Sequence, residues 1–287
     1  MIFVLRCSVP DSPLPPADLP AQFRGEELTV IELPEVPGRR DLKFLDALAS
    51  RYVVGSTPSL HEIAAQPDVE HLGHPQPDPH RVSERVRVIV EGTDASLAAV
   101  VSKLMRIDAL WVQVGYVPSF PATSTVAQNW GLLPDATPKQ YMKFALEEAS
   151  RPTALMRDDH GVVVLGAAEI TGSDGELVGE AIVDSEVLYS YDPEQGLHSE
   201  FTRGVRLVPT IGAPGLAAVP LPSPQRKKSL WGFLRTHRPV DPPVLRGRAL
   251  QAGGVDMVVS RDGLPHTRPL KSVTFYRHLR DGQFVRT

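Results

Sequence analysis

The sequence has almost no cysteine, no strong net charge and no long apolar run, and each absence excludes a class of protein. Cys7 is the single cysteine among 287 residues, which excludes an internal disulfide framework and a thiolate zinc site. A net charge of −4 gives no general reason to expect nucleic acid as a partner. The apolar opening at residues 1–5 is too short for a signal peptide, and no run approaches the roughly 18 residues of a membrane span. We therefore expect a cytoplasmic globular protein.

Proline is abundant, with 28 residues, and its clusters predict loops at 10–20 and 66–80. Before residue 150, strand and helix patterns alternate. The predicted strands there are 28–33, 52–54, 86–90 and 109–117, and the predicted helices are 41–50, 94–105, 126–130 and 137–149. Beyond residue 150, short strands predominate, and Asp174-Gly175 between two of them predicts a hairpin turn. We predict a three-layer, Rossmann-like α/β domain at 1–150 and a mainly antiparallel β-sandwich domain at 151–287.

One strand–turn–helix segment has the pattern of a phosphate-binding site. The apolar strand predicted at 86–90 leads into a small-residue turn at Gly92, and an amphipathic helix follows from Asp94. Backbone N–H groups and the positive end of such a helix attract anions. The candidate nucleotide-binding residues are Gly92, Thr93, Asp94, Ser96, Thr123 and Ser124. Glu91 puts a negative charge beside this turn, and the sequence leaves open whether its side chain points into the turn, where it would repel a phosphate, or away from it.

Three short segments resemble motifs of the diacylglycerol kinase and sphingosine kinase family of lipid kinases. The family's Gly-Gly-Asp-Gly-Thr turn falls on Gly92-Thr93-Asp94-Ala95-Ser96. Its Gly-Thr-Gly-Asn-Asp-Phe-Ala segment falls on residues 121–127, where the alanine is kept, and Gly131-Leu132 matches the Gly-Leu that closes it. Its Asp-Gly-Glu falls on Asp262-Gly263-Leu264. The resemblance implies the two-domain fold of these kinases and a site for Mg-ATP.

The departures from the family pattern favour a protein that is not an active enzyme. In the family, the glutamate of Asp-Gly-Glu is thought to help activate the lipid hydroxyl, and Leu264 cannot accept a proton. The turn at Gly92 has lost glycines that allow a phosphate to approach the backbone closely. If the protein is active nevertheless, Asp262 is the candidate catalytic residue, near the acceptor hydroxyl, and Asp94 lies near Mg²⁺ or phosphate.

A basic, aromatic segment within residues 224–239 is the second candidate site. Its cations and large apolar side chains suit the interface of an anionic membrane or the groove of a partner protein. An exposed crossover loop whose aromatic rings pack back onto the β domain is an equal alternative. The candidate contact residues are Arg226, Lys227, Lys228, Leu230, Trp231, Phe233 and Arg235.

The remaining polar clusters predict no metal site. The histidines and acids between His61 and His80 have no metal-ligand spacing, and they are best explained as a solvated loop. The segment Arg157–Gly161 is typical of a polar turn.

Three functions stay open. The leading hypothesis is a bacterial pseudokinase, cytoplasmic or peripheral at the inner face of the membrane, that binds a lipid, a nucleotide or a membrane-associated protein. The alternatives are an active ATP-dependent lipid kinase with altered motifs and a scaffold for a membrane-protein partner. No cofactor is expected unless the kinase is active, in which case it is Mg-ATP.

Overall fold

The computed structural model describes residues 1–10, 12–13, 15–19, 28–51, 85–195, 200–223 and 241–287. The chain forms two compact units. Unit 1 contains residues 1–155, 160–166 and 278–287, and unit 2 contains residues 156–159 and 167–277. The predicted division into a nucleotide-binding-like domain at 1–150 and a β-rich domain at 151–287 stays a prediction. The sequence did not indicate that the last ten residues belong with the first unit.

Unit 1 is built on a six-stranded sheet with the order β2-β1-β3-β4-β17-β5. Its strands are β1 (Ile2–Cys7), β2 (Leu28–Leu33), β3 (Arg87–Gly92), β4 (Gln113–Pro118), β5 (Ser150–Thr153) and β17 (Gly282–Val285). Strands β1 to β4 and β17 run parallel, and β5 runs antiparallel to β17. Every residue of β3 is buried, as expected of a strand covered on both faces.

Helices cover both faces of this sheet. In the described part of this unit, the helices are α1 (Phe44–Ser50), α2 (Asp94–Arg106), α3 (Thr125–Asn129) and α4 (Pro138–Glu147). Side chains alternate along β3, so Gly92 faces α2 and its neighbour Glu91 faces the opposite side. Gly115 of β4 lies in register with Ile89 on the Glu91 side, and a Cβ there would be 2.8 Å from that of Ala145 in α4. The α/β class predicted for this half is confirmed.

Unit 2 is mainly an antiparallel sheet with the order β13-β12-β11-β8-β14-β16-β6. The 13-residue strand β14 is central, because it pairs with β8, β9, β15 and β16. Its strands are β6 (Met156–Asp158), β8 (Ala168–Gly172), β9 (Gly179–Val183), β10 (Glu186–Tyr191), β11 (Gly204–Pro209), β12 (Leu216–Leu221), β13 (Leu245–Gly247), β14 (Ala249–Arg261), β15 (Leu264–Pro265) and β16 (Leu270–Arg277). The two-residue strand β7 (Val163–Val164) belongs to the 160–166 segment of unit 1. The antiparallel β class predicted for this half is confirmed.

Several local predictions differ from the structure. The hairpin predicted at Asp174-Gly175 is wrong, because β8 and β9 both pair with β14 instead of with each other. The hairpin is one connection later, between β9 and β10, where Asp184 adopts φ 53°. Aspartate tolerates this left-handed conformation better than most residues, so no glycine marks the turn. Within Arg157–Gly161, the first two residues belong to β6. The predictions for 52–54 and 66–80 lie outside the described residues.

Candidate functional site

The candidate site lies where the strand order of unit 1 reverses. From β1 the chain proceeds to β2 on one side, and from β3 it proceeds to β4 on the other. In doubly wound sheets, the crossovers leave such a switch point on opposite faces, and ligands bind at the carboxyl ends of the two central strands. Those ends are Cys7 on β1 and Gly92 on β3. The predicted turn therefore lies at the position where this architecture binds ligands.

The turn at Gly92 closes tightly onto helix α2. Thr93 is the N-cap residue, and its side chain accepts a hydrogen bond from the backbone N–H of Ser96 (3.1 Å). The Ser96 hydroxyl accepts from the Thr93 N–H (2.9 Å) and donates to the Glu35 carbonyl (2.7 Å). A Cβ on Gly92 would lie 2.7 Å from Ser96 Oγ and 2.9 Å from Cys7 Cβ. Only glycine fits this position without displacing a neighbour.

Asp94 joins the turn to the next two elements of unit 1. Its Oδ1 accepts hydrogen bonds from the Tyr116 hydroxyl (2.9 Å) and from the Ser124 hydroxyl. Its Oδ2 accepts from the backbone N–H of Val126 (3.1 Å). Ser124 is in turn the N-cap of α3, where its hydroxyl accepts from the Ala127 N–H. One carboxylate therefore connects the starts of helices α2 and α3.

The structure brings the predicted nucleotide-binding residues to one edge of the sheet. Gly92, Thr93, Asp94 and Ser96 form the turn, and Ser124 contacts it through Asp94. Thr123 precedes Ser124 and is exposed. Sequence reasoning missed Tyr116, although its place near the end of the strand beside β3 is a signal that could have identified it. It also missed the contact from Glu35, which no sequence pattern marks.

The side chain of Glu91, whose orientation the sequence left open, points away from the Gly92 turn. Its side chain lies on the sheet face opposite Gly92, where it accepts hydrogen bonds from the Ala17 N–H (2.5 Å) and from Arg6 Nε (3.2 Å). Arg6 is its register partner on β1 and neutralises its charge. Burial raises the pKa of Glu91, and the two hydrogen bonds and the charge of Arg6 partly offset that rise.

In unit 2, Asp262-Gly263 forms the turn between β14 and β15, with φ values of 48° and 85°. Positive φ at both central residues is typical of a tight hairpin turn. The buried Asp262 carboxylate accepts a hydrogen bond from the Ala167 N–H (3.0 Å), and its own N–H donates to the Ala167 carbonyl (2.8 Å). Leu264 follows with 44% of its surface exposed. The role of Asp262 as a catalytic residue stays a prediction.

The basic, aromatic segment lies outside the described residues, so the seven contact residues predicted there remain a prediction. The ranges that the structure describes contain one tight group of candidate metal ligands, Asp158, Asp159 and His160. Asp158 is paired with Arg261 at 2.6 Å. No helix in the described part of the chain is long and apolar enough to cross a bilayer.

No family model matches this chain, and no curated protein matches its sequence. Its fold does match solved structures. The class they define is a kinase fold with an α/β domain and a large antiparallel β domain, which is the fold of diacylglycerol kinases and NAD kinases. The diacylglycerol-kinase-like fold predicted from the three motifs is therefore confirmed.

Three solved structures illustrate the likeness. A diacylglycerol kinase from Bacillus anthracis str. Sterne matches with a TM-score of 0.56 and 11% identity, over 100% of this chain and 96% of that one. A putative diacylglycerol kinase from the same organism matches with a TM-score of 0.58 and 10% identity, over 100% and 96%. An NAD kinase from Archaeoglobus fulgidus, in complex with ATP, matches with a TM-score of 0.51 and 11% identity, over 100% and 94%.

Proposed function

We propose that this protein is a pseudokinase, which keeps the kinase fold, binds a nucleotide at the turn of residues 92–96 and does not transfer phosphate. The turn at Asp262 is the observation that carries the proposal. Leu264 stands where the resemblance expects a glutamate, and its side chain has no group that can accept a proton. The Asp262 carboxylate already accepts a hydrogen bond from the backbone of Ala167, which gives it a structural task in the turn.

A nucleotide is the ligand that the turn favours. Helix α2 has 13 residues, and the positive end of its dipole lies at this turn. The capping box uses the N–H groups of Thr93 and Ser96. The backbone N–H groups of Asp94 and Ala95, in the first turn of the helix, have no acceptor within the helix and can therefore donate to a phosphate. The structurally similar NAD kinase was solved in complex with ATP.

A lipid surface or a membrane-associated protein is the partner we propose for the segment at 226–238. Its five permanent cations and four large apolar residues support this part of the proposal. Such a partner would place the nucleotide-binding unit close to the membrane without a spanning helix.

Calorimetric titration with a nonhydrolysable ATP analogue and Mg²⁺ tests the nucleotide site. The wild-type protein should bind saturably. The variant Gly92→Ala should bind at least about tenfold more weakly, because the added methyl group displaces Ser96 from the turn. The matched control is Gly212→Ala, since a Cβ at Gly212 meets no atom within 4 Å, and its affinity should equal that of the wild type.

Circular dichroism and thermal unfolding of both variants should show that they are folded. Absence of binding by the folded wild-type protein at millimolar nucleotide would overturn the nucleotide part of the proposal. Equal affinities of Gly92→Ala and the wild type would show that the nucleotide binds somewhere other than this turn.

A further inference from the structure

The oxygen atoms at the start of the Gly92 turn already accept hydrogen bonds from the protein itself. The Gly92 carbonyl accepts from the Ser119 N–H (2.8 Å), and the Thr93 carbonyl accepts from the Leu97 N–H (3.1 Å). The Thr93 hydroxyl oxygen accepts from the Ser96 N–H, and the Ser96 hydroxyl oxygen accepts from the Thr93 N–H. Each of these neutral oxygens therefore has a donor before any ligand arrives.

The Asp94 carboxylate, the charged group of this turn, is engaged in the same way. A carboxylate has about four lone-pair positions that can accept a hydrogen bond or bind a cation. Oδ1 accepts from the hydroxyls of Tyr116 and Ser124, and Oδ2 accepts from the Val126 N–H (3.1 Å). Val126 lies in the first turn of helix α3, so the carboxylate ties this helix to the start of α2.

Glu91, the acid that precedes the turn, adds no metal ligand on this side of the sheet. Its side chain lies on the face opposite Gly92 and accepts hydrogen bonds from the Ala17 N–H and from Arg6 Nε. Mg²⁺ requires several oxygen ligands at about 2.1 Å in nearly octahedral geometry. The oxygens of the turn accept hydrogen bonds from the protein instead of forming such a set. The metal of the Mg-ATP that the lipid-kinase resemblance implies therefore does not fit this turn.

The turn offers hydrogen-bond donors to a ligand. The N–H groups of Asp94 and Ala95 have no acceptor within helix α2, and the positive end of the helix dipole lies beside them. Phosphate oxygens are acceptors and carry negative charge, so they match both features. A Mg²⁺ ion on the phosphates would neutralise part of this charge and would gain no ligand from the oxygens of the turn.

We propose that Asp94 is a positioning residue that ties helix α3 to the turn, and that the turn binds a nucleotide through its phosphate oxygens alone, without a metal ion held by the protein. This rests on the proposed nucleotide site and specifies its ligand as the metal-free nucleotide. Since no group of the turn holds the metal, removal of Mg²⁺ should not weaken the complex.

Titration of the wild-type protein with a nonhydrolysable ATP analogue, once with Mg²⁺ and once with EDTA at the same ionic strength, tests the metal. The dissociation constant in EDTA should be no more than about threefold larger than that in Mg²⁺. A larger loss of affinity in EDTA would overturn metal-free binding and leave the proposed nucleotide site intact. Absence of binding in both solutions would overturn the proposed nucleotide site itself.

Two variants of Asp94 test its role in the turn. Asp94→Ala removes the acceptor of three hydrogen bonds and should bind the analogue at least about tenfold more weakly, by the same factor in Mg²⁺ and in EDTA. Asp94→Asn keeps Oδ1 as an acceptor for Tyr116 and Ser124, so it should recover most of this loss without the charge that attracts a metal ion. The matched control is Asp135→Ala, at an exposed position of unit 1, which should bind as the wild type does.

Circular dichroism shows whether the variants are folded, and the two wild-type titrations test the metal without any variant. A loss in Asp94→Ala that is confined to the Mg²⁺ solution would make Asp94 a metal ligand and overturn the proposal. Wild-type affinity of Asp94→Ala in both solutions would overturn its role as a positioning residue, and so would an affinity of Asp94→Asn as weak as that of Asp94→Ala.

Discussion

At the scale of single residues, strand β3 carries two buried charged side chains, and the partners around each one determine what it does in the fold. Arg87 and Glu91 lie on the same face of β3, four residues apart, and both are buried. Each has a specific set of partners that compensates for the loss of water. Arg87 holds the carboxyl end of helix α4, and Glu91 holds the backbone of Ala17.

Arg87 should be one of the most important single residues for stability. Its guanidinium donates to the carbonyls of Ala145 (2.7 Å), Leu146 (2.8 Å) and Glu148 (2.7 Å) and to the side-chain oxygen of Gln113. Arg87→Met removes the charged donor to all four acceptors and leaves the carbonyl of the buried Ala145 without it, and we expect a loss of roughly 3 kcal/mol in the free energy of unfolding. Urea denaturation measures it.

The control for this variant is Arg85→Met. Arg85 donates to two of the same acceptors, Gln113 and Leu146, from an exposed position. Because water replaces an exposed donor, its loss should cost under about 1 kcal/mol. Equal losses for the two variants would contradict the importance of burial at Arg87.

Glu91 should make stability depend on pH. Folding raises its pKa above the ordinary value of 4.5 through burial, while Arg6 and Glu32 are the charged groups that face it. The folded protein therefore holds this proton more tightly than the unfolded chain does. The contribution is fully present below about pH 4.5 and is lost as pH rises through the raised pKa.

The variant Glu91→Gln should reduce this loss, since the amide keeps the hydrogen bond from Ala17 and carries no charge. Urea unfolding of the wild type and the variant between pH 4 and pH 8 measures the difference. Glu186→Gln is the control, because Glu186 is an exposed acidic residue of β10. If the stability of the wild type and of Glu91→Gln depended equally steeply on pH, Glu91 would not be the source of the pH dependence.

At the scale of elements, the helix starts are the features that sequence patterns predict best. Thr137 with Pro138 and Gln140 predicts a capping box, and α4 begins with both of its hydrogen bonds. The turn at Gly92 was also predictable, because an apolar run ending in small polar residues has few alternatives. These signals are local, and the residues that form them lie within four positions of one another.

The elements that sequence patterns missed depend on distant partners. The pairing of β8 and β9 with β14, instead of with each other, joins segments about 80 positions apart. The orientation of Glu91 depends on Arg6, and the Tyr116–Asp94–Ser124 contacts bring together three elements. Local propensity carries no information on such contacts, whereas burial of a whole sheet face decides them.

The capping box of α4 gives the prediction at this scale. Thr137→Ala removes the acceptor for the Gln140 N–H, so the free energy of unfolding should fall by about 1 kcal/mol. Lys139→Ala, at an exposed position of the same helix, should change it by less than about 0.5 kcal/mol. Thermal denaturation of both variants measures the effect. A loss for Lys139→Ala as large as that for Thr137→Ala would contradict the role of the cap.

At the scale of the whole molecule, the two ends of the described chain meet in one sheet. Strand β17 lies between β4 and β5, and Phe284 stacks on Trp130 with ring centroids 4.8 Å apart. The sheet of unit 1 is therefore complete only when the C-terminal strand has joined it. No sequence pattern indicated this, because β17 is four residues long and its partners lie more than 100 positions away.

Phe284→Ala should therefore destabilise unit 1 strongly, by about 3 to 5 kcal/mol, since it removes a fully buried ring. Hydrogen exchange should show the loss of protection in β4 and β5. Leu279→Ala, at a position 69% exposed in the same segment, should leave both stability and exchange unchanged. Protection of β4 and β5 that persists in Phe284→Ala would mean that the sheet does not need β17.

The proposed membrane contact is also a property of the whole molecule. Replacing Trp231 and Phe233 by Ser should weaken cosedimentation with anionic vesicles by at least about tenfold, because two large interfacial anchors are lost. The control replaces two exposed apolar residues of unit 1, Leu133 and Leu279, by Ser. If the variant at Trp231 and Phe233 bound vesicles as well as the wild type, this segment would not be the membrane contact.

We propose a kinase fold that is kept without phosphate transfer, and a transfer assay with γ-labelled ATP and Mg²⁺ measures this transfer. Diacylglycerol and sphingosine in mixed micelles, and NAD in solution, serve as acceptors. A pseudokinase should give no labelled product above a protein-free blank at nucleotide concentrations that saturate binding. Labelled product from the wild type, lost in Asp262→Asn purified in the same way, would contradict it and assign the protein to the active kinases.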